Sequence, residues 1–186
     1  METRTIEAID QGTGRTEPGD TQDAMPSWPA RDWRAVMLWA QELATVVGRE
    51  QPTEHVSVFV PDAGAGGLRL AAQVWGAGEN TGAVVVGAWV LPLDASICGR
   101  VYRTGHAALC ADVAMDPDFR SWPGSRTRSS LTVPVGRPGA VVAVVNIEAP
   151  WVSAFSIRDY ERLRDRAADA CETWPLRGSE SAPATD

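Results

Sequence analysis

The stretch SSLTVPVGRPGAVVAVVNIE, residues 129–148, combines two apolar runs with a short turn between them. Residues 131–135 and 140–147 are apolar and rich in Val, as strands are, and the second run is close to continuously apolar. Residues 136–139, GRPG, supply the turn between them. The stretch therefore predicts a β-hairpin, and with it an antiparallel sheet.

The segments on either side of this hairpin predict the rest of the domain. Apolar residues at helical spacing indicate a first helix over residues 31–47, and Ser156 is a plausible N-cap for a last helix that ends at Trp174. The remaining predicted elements are strands 55–60 and 68–75, a Val-rich strand at 83–91 near the middle of the sheet, a short helix 96–103, a strand 107–110 and a long loop 111–128. The fold class is α+β, with a central antiparallel sheet and the N- and C-terminal helices packed against it.

The two ends of the chain differ in composition from its centre. Gly, Thr, Pro, Asp, Glu and Gln dominate residues 11–29, and similar residues follow Pro175. Such segments bury too little apolar surface to offset the entropy lost on ordering. We expect residues 1–30 and 175–186 to be disordered tails and residues 31–174 to form one domain.

Composition excludes several functions. The net charge of -7 gives no general attraction to nucleic acid or to anionic membranes. All 17 basic residues are Arg, so lysine-dependent catalysis and phosphate-loop chemistry are excluded. No secretory signal or membrane-spanning run is visible, which favours the cytoplasm. Cys98, Cys110 and Cys171 show no spacing typical of a metal site or a disulfide framework, and we expect no cofactor.

Several stretches, in this order and spacing, resemble a GAF domain, a small-molecule sensing fold related to the PAS domains. They are residues 96–101 (SICGRV) with 104–105 (TG), 112–113 (DV) with 116–119 (DPDF), 129–135 (SSLTVPV), 141–148 (VVAVVNIE) and 154–156 (AFS). The resemblance covers about residues 31–174. It implies a sensory domain that acts in trans in signal transduction, as a homodimer and with no catalysis. Trp33, Trp39, Leu163 and residues 162–166 are the candidate dimer surface.

The resemblance also implies a ligand pocket between the sheet and the loop 111–128. Aromatic side chains would form its walls, and polar or cationic side chains would hold an anionic or polar ligand. The candidate ligand-binding residues are Trp75, Trp89, Cys98, Asp112, Phe119, Trp122, Arg126, Arg128, Ser130 and Thr132. We expect no catalytic residue and no metal ligand.

Other readings of the same residues stay open. GAF-fold reductases of free methionine sulfoxide carry a cysteine in a segment matched here by residues 97–99, but their other two cysteines, the catalytic one among them, would fall near Ala88 and near Trp122 or Pro123. None of these residues can attack sulfur. Their substrate-holding acidic residues would fall on Ser130, Asn146 and Glu148.

A cyclic-nucleotide motif is matched only by Asn146, Phe155 and Asp159. Pigment attachment lacks a Cys-His pair, and His55 and His106 are expected to be surface residues rather than haem ligands. A dimerisation module without a ligand is the remaining alternative.

Overall fold

The computed structural model describes residues 4–6, 30–51, 53–75, 89–121 and 124–176. Within these residues the strands form one seven-stranded sheet with the order β1-β5-β6-β7-β2-β3-β4, and every neighbouring pair is antiparallel. The strands are β1 (Arg4–Ile6), β2 (His55–Asp62), β3 (Gly67–Trp75), β4 (Val90–Leu91), β5 (Ala107–Cys110), β6 (Ser129–Arg137) and β7 (Ala140–Ala149). The helices are α1 (Ala30–Glu50), α2 (Ile97–Thr104) and α3 (Ile157–Glu172). The predicted α+β class is confirmed.

The hairpin predicted from residues 129–148 lies at the centre of the sheet. β7 pairs with β6 on one side and with β2 on the other, so that Val145 faces Val133 and Val58 across the two ladders. Because side chains alternate between the faces of a strand, the apolar residues of β7 reach both faces. This explains why β7 reads as a nearly continuous apolar run.

Helices α1 and α3 cover one face of the sheet. Their apolar stripes pack on Val56, Val58, Leu131 and Val145 to form the larger of two hydrophobic clusters. Trp39 Nε1 of α1 donates to the Ala170 carbonyl of α3 at 3.1 Å, which ties the two helices together.

Trp39 and Leu163 were expected on a dimer surface, and the structure corrects this. Leu163 has 0% exposure, and the Trp39 ring packs edge-on against Trp174 with 4.8 Å between ring centroids. Both residues lie on the helix stripe that faces the sheet, where burial of a large apolar side chain stabilises the fold by about 1.5–3 kcal/mol. Trp33 is partly buried against the same cluster.

Ser156 begins α3 through a reciprocal capping arrangement. The Asp159 carboxylate accepts from the Ser156 backbone N–H at 2.7 Å and from its hydroxyl at 2.6 Å. Helix ends leave backbone N–H groups without intrahelical partners, and such a pair of residues satisfies them.

Helix α2 lies on the opposite face of the sheet, where a second hydrophobic cluster includes Phe59, Leu70, Ile97 and Val101. Ser96 caps the helix by accepting from the Gly99 N–H at 2.9 Å. Gly105 ends it with φ 67°, and a Cβ at this position would lie 2.6 Å from Pro138 Cα. The end of α2 is therefore fixed against the β6–β7 turn.

Two predictions about the sheet edges are wrong. Residues 4–6, assigned to a disordered tail, pair with β5. The Val-rich run 83–91 was placed near the middle of the sheet, but its described part is β4, which pairs only with β3 at the edge. Apolarity alone does not distinguish a central strand from a segment that covers the core, as buried Leu91 does here.

Residues 83–88 and most of both predicted tails lie outside the described residues. No helix of the described part is long and apolar enough to span a membrane.

We predict that Gly105→Ala destabilises the protein more than Gly139→Ala does. Both glycines have positive φ, but a Cβ at Gly139 meets nothing within 4 Å, whereas one at Gly105 collides with Pro138. Gly139→Ala should cost about 1–2 kcal/mol, the usual penalty for a left-handed L-residue. Gly105→Ala should cost clearly more in urea unfolding, and equal losses would contradict the packing described.

Candidate functional site

The sheet face below α2 changes from apolar to polar along its strands. Its polar part includes the buried side chains of His55, Ser57, Thr132, Asn146 and Glu148. Register brings them together, because His55 is opposite Glu148, and Asn146 is opposite both Ser57 and Thr132. Alternation places all five on the same face of three adjacent strands. The result is a buried polar floor in an otherwise apolar sheet.

Glu148 is the centre of this floor. Its Oε2 lies 3.1 Å from His55 Nε2 and accepts a hydrogen bond from the Thr127 hydroxyl, and its Oε1 accepts from Asn146 Nδ2 at 2.7 Å. Thr132 donates in turn to Asn146 Oδ1 at 2.8 Å. Both carboxylate oxygens therefore have partners although the residue is only 4% exposed.

These partners determine the charge of Glu148. Burial by itself would raise the pKa of this carboxyl, but the adjacent His55 imidazole and the hydrogen bonds from Thr127 and Asn146 outweigh it and hold the pKa below its usual range. Glu148 is a carboxylate at neutral pH.

A small cavity of about 20 Å³ adjoins the floor. A cavity of roughly 10–15 Å³ by this measure already holds one water molecule. Aromatic and aliphatic side chains form its walls, and the polar floor forms its base; the lining residues are Phe59, Leu91, Ser96, Ile97, Cys98, Phe119, Arg120, Ser130, Asn146 and Glu148. Ser130 Oγ is buried and has no hydrogen-bond partner in the described part of the chain. Buried hydroxyls usually have one.

Arg100 of α2 forms hydrogen bonds with the loop that carries Phe119, a residue of the cavity wall. Its guanidinium donates to Asp116 Oδ2 at 2.7 Å and also to the Asp118 carboxylate. The Ile97 N–H donates to the Asp118 carbonyl at 3.2 Å, so the loop is attached to the start of α2 as well. These bonds position Phe119 beside the cavity.

The structure brings some of the predicted ligand-binding residues together. Cys98, Phe119 and Ser130 line the cavity, and Thr132 supports it through its bond to Asn146. Trp75, 37% exposed, lies against the His55 ring at a centroid distance of 4.7 Å. As a group these residues surround Glu148 and its partners.

Other predicted residues lie elsewhere. Trp89 packs on the second hydrophobic cluster. Asp112 pairs with exposed Arg128 at 3.1 Å, and exposed Arg126 pairs with Glu54 at 3.1 Å, all away from the cavity lining. Trp122 lies outside the described residues.

Sequence reasoning missed the central role of His55 and Glu148. His55 was expected at the surface, but it has 0% exposure because β3 and β7 flank it on both sides. The available signal was the spacing of Asn146 and Glu148, polar residues two positions apart on an apolar strand and therefore on one face. Phe155 and Asp159, which partly match the cyclic-nucleotide motif, belong to the helix-side core and to the α3 cap.

Comparisons with known proteins agree with this fold. The family model described as GAF domain matches residues 40–170. A search of curated proteins found no match. Among solved structures, the GAF domain of Acinetobacter phosphoenolpyruvate-protein phosphotransferase has a TM-score of 0.62 and 16% identity, over 83% of this chain and 96% of that one.

Enzymes are also among the similar structures. The type II free methionine-R-sulfoxide reductase of Thermoplasma acidophilum has a TM-score of 0.57 and 22% identity, over 76% of this chain and 93% of that one. The free methionine-R-sulfoxide reductase of Neisseria meningitidis, solved with its substrate, has a TM-score of 0.56 and 18% identity, over 81% and 96%. The prediction that this chain is not an enzyme is therefore wrong as a conclusion from its fold, because the same fold carries catalysis.

We predict that Glu148→Gln flattens the pH dependence of stability. A carboxyl whose pKa is lower in the folded protein stabilises it above the ordinary pKa, here 4.5, and this contribution is lost as the pH falls through the folded pKa. The free energy of unfolding of the wild type should therefore decrease as the pH drops below about 5. The decrease should be smaller in Glu148→Gln.

Urea unfolding between neutral and acidic pH measures both slopes. Glu42→Gln is the matched control, because Glu42 is exposed on α1. It should leave the wild-type slope unchanged. Equal slopes for Glu148→Gln and the wild type would rule out a carboxylate stabilised by its neighbours.

Proposed function

We propose a sensory or regulatory role based on small-molecule binding for this chain, which belongs to the GAF domain family. The proposed ligand site is the cavity above Glu148. We place its output in trans, in a partner protein, as expected from the resemblance. The homodimer and the cytoplasmic location stay predictions.

The unpaired hydroxyl of Ser130 supports this proposal most directly. It is 1% exposed, and it lines a cavity whose base also contains the Glu148 carboxylate. Leaving a buried polar group without a partner costs about 1–3 kcal/mol. The Ser130 hydroxyl is therefore open to a ligand in the cavity, which favours ligands that carry a polar group on a small apolar body.

Binding at this site requires the cavity wall to move. The space of about 20 Å³ admits little more than a water molecule, and Phe119 and Arg120 form its outer side. A larger ligand displaces this segment, which is bonded to α2 through Arg100. The displacement gives ligand binding a structural consequence that a partner can detect.

We predict that Ser130→Ala leaves the stability of the free protein close to that of the wild type. The substitution removes a buried hydroxyl that bonds to no described protein group, so no hydrogen bond within the protein is lost. The same variant should bind a metabolite found by thermal-shift screening about tenfold more weakly in calorimetry, in line with a lost hydrogen bond of about 1.4 kcal/mol.

Thr45→Ala is the control for loss of a hydroxyl, because Thr45 lies on α1 and bonds only to its own helix at the Gln41 carbonyl within the described contacts. It should not change the affinity. The proposal fails if no metabolite stabilises the protein, or if Ser130→Ala binds the screened ligand as tightly as the wild type does.

Reduction of free methionine sulfoxide is the second candidate function. Cys98 and Glu148 line the same cavity, and two of the structures described above are reductases of that substrate. Burial, and then the nearby charge of Glu148, raise the pKa of the Cys98 thiol far above its ordinary range. Since the thiolate is the attacking species, this environment opposes the reaction unless substrate changes it.

An assay separates the two functions. A reductase reaction of this chain would have to use Cys98 as its nucleophile. Cys98 would be oxidised to a sulfenic acid while the sulfoxide becomes a thioether, and dithiothreitol would return the sulfenic acid to a thiol. Equal amounts of methionine from the wild type and from Cys98→Ser would exclude Cys98 as the reductase nucleophile. Production by the wild type that Cys98→Ser abolishes would establish the reductase instead.

A further inference from the structure

A second depression, far larger than the cavity above Glu148, lies beside α3. It has a volume of about 250 Å³ and is here called the α3 groove. It forms because β6 continues to Arg137, whereas β5 pairs with β6 only as far as Thr132. The uncovered end of β6, the end of α2 and the outer side of α3 enclose the groove.

The walls of the α3 groove are largely apolar. Ala107, Val133 and Pro134 come from the sheet, Pro138 comes from the β6–β7 turn, and Ala168 comes from α3. The Tyr160 ring adds a flat aromatic surface. Small-molecule pockets usually measure roughly 300–1,000 Å³. A groove just below that range suits a compact, flat body of about bicyclic size.

Two guanidinium groups make the α3 groove positively charged. Arg137 and Arg164 line it together with the His106 ring, and no carboxylate does among the described residues. Arg164 is partly engaged, since it pairs with exposed Asp165 at 2.8 Å and lies 5.8 Å from the centre of the Tyr160 ring. Arg137 forms no ion pair within the part of the chain described. The α3 groove is thus a locally positive surface in a protein whose net charge is -7.

We propose that the α3 groove binds a small aromatic carboxylate. The apolar walls and the Tyr160 ring hold the aromatic body, and the guanidinium of Arg137 receives the carboxylate, with His106 and Arg164 beside it. Guanidinium and carboxylate groups form strong charge-assisted hydrogen bonds. The site is separate from the cavity above Glu148 and does not depend on the function proposed for it.

The test uses 2-naphthoate as the probe, with 2-naphthamide as its uncharged analogue and 2-naphthylmethylamine as its cationic one. Titration of the full chain, followed by backbone amide NMR, should show saturable binding of 2-naphthoate with shifts at Gly105, His106 and Ala168. The amide and the amine should bind at least about tenfold more weakly, because neither carries the negative charge that pairs with the guanidinium.

Variants locate the site. Arg137→Gln should weaken 2-naphthoate binding at least about fivefold through loss of the charged partner. Ala168→Phe, at an exposed position of α3, should block the groove. Arg158→Gln is the control, because Arg158 is exposed on the same helix and does not line the groove.

Three results would overturn the proposal. The first is no binding of 2-naphthoate, and the second is equal binding of the three probes, which would indicate an apolar surface without charge selection. The third is binding whose NMR shifts map to Ser130 and Asn146, which would assign the probe to the cavity above Glu148 instead.

Discussion

One buried carboxylate joins three neighbouring segments of the sheet. Glu148 sits on the central hairpin strand β7, and its side chain contacts His55 of β2 and Thr127 just before β6. Its carbonyl also accepts from the Thr53 hydroxyl and from the Glu54 N–H, each at 2.8 Å. A buried charge without partners costs several kcal/mol, so the strands around it must supply donors. The polar side chains on this face meet that requirement.

The two faces of the sheet therefore serve different purposes. The face below α1 and α3 is filled with aliphatic and aromatic side chains, and it accounts for most of the hydrophobic core. The opposite face is apolar only where α2 covers it and polar where Asn146 and Glu148 point out of β7. Most of the stability can thus come from one face, which leaves the other available for a site.

Local signals in the sequence were sufficient for the elements but not for the contacts between them. The GRPG turn, the Ser156 cap and the alternation in residues 55–60 each depend on neighbouring residues, and each is present in the structure. The pairing of His55 with Glu148 depends on the register of two strands, β2 and β7, that are far apart in the sequence. Similarly, apolar spacing identified the apolar stripes of α1 and α3, which contain Trp39 and Leu163. It did not show whether these stripes contact the sheet or a second chain. The fold alone also leaves regulation and catalysis unresolved, since both occur on it.

Strand β6 has neighbours of different kinds on its two sides. Thr132 points to the polar floor, and the next residue, Val133, points to the helices and lines the α3 groove. A displacement of this strand moves both surfaces at once, since one peptide unit joins them. Suppose that a ligand on one surface alters β6 and so changes the affinity of the other surface for its own ligand. By thermodynamic reciprocity, the second ligand then changes the affinity for the first by the same factor.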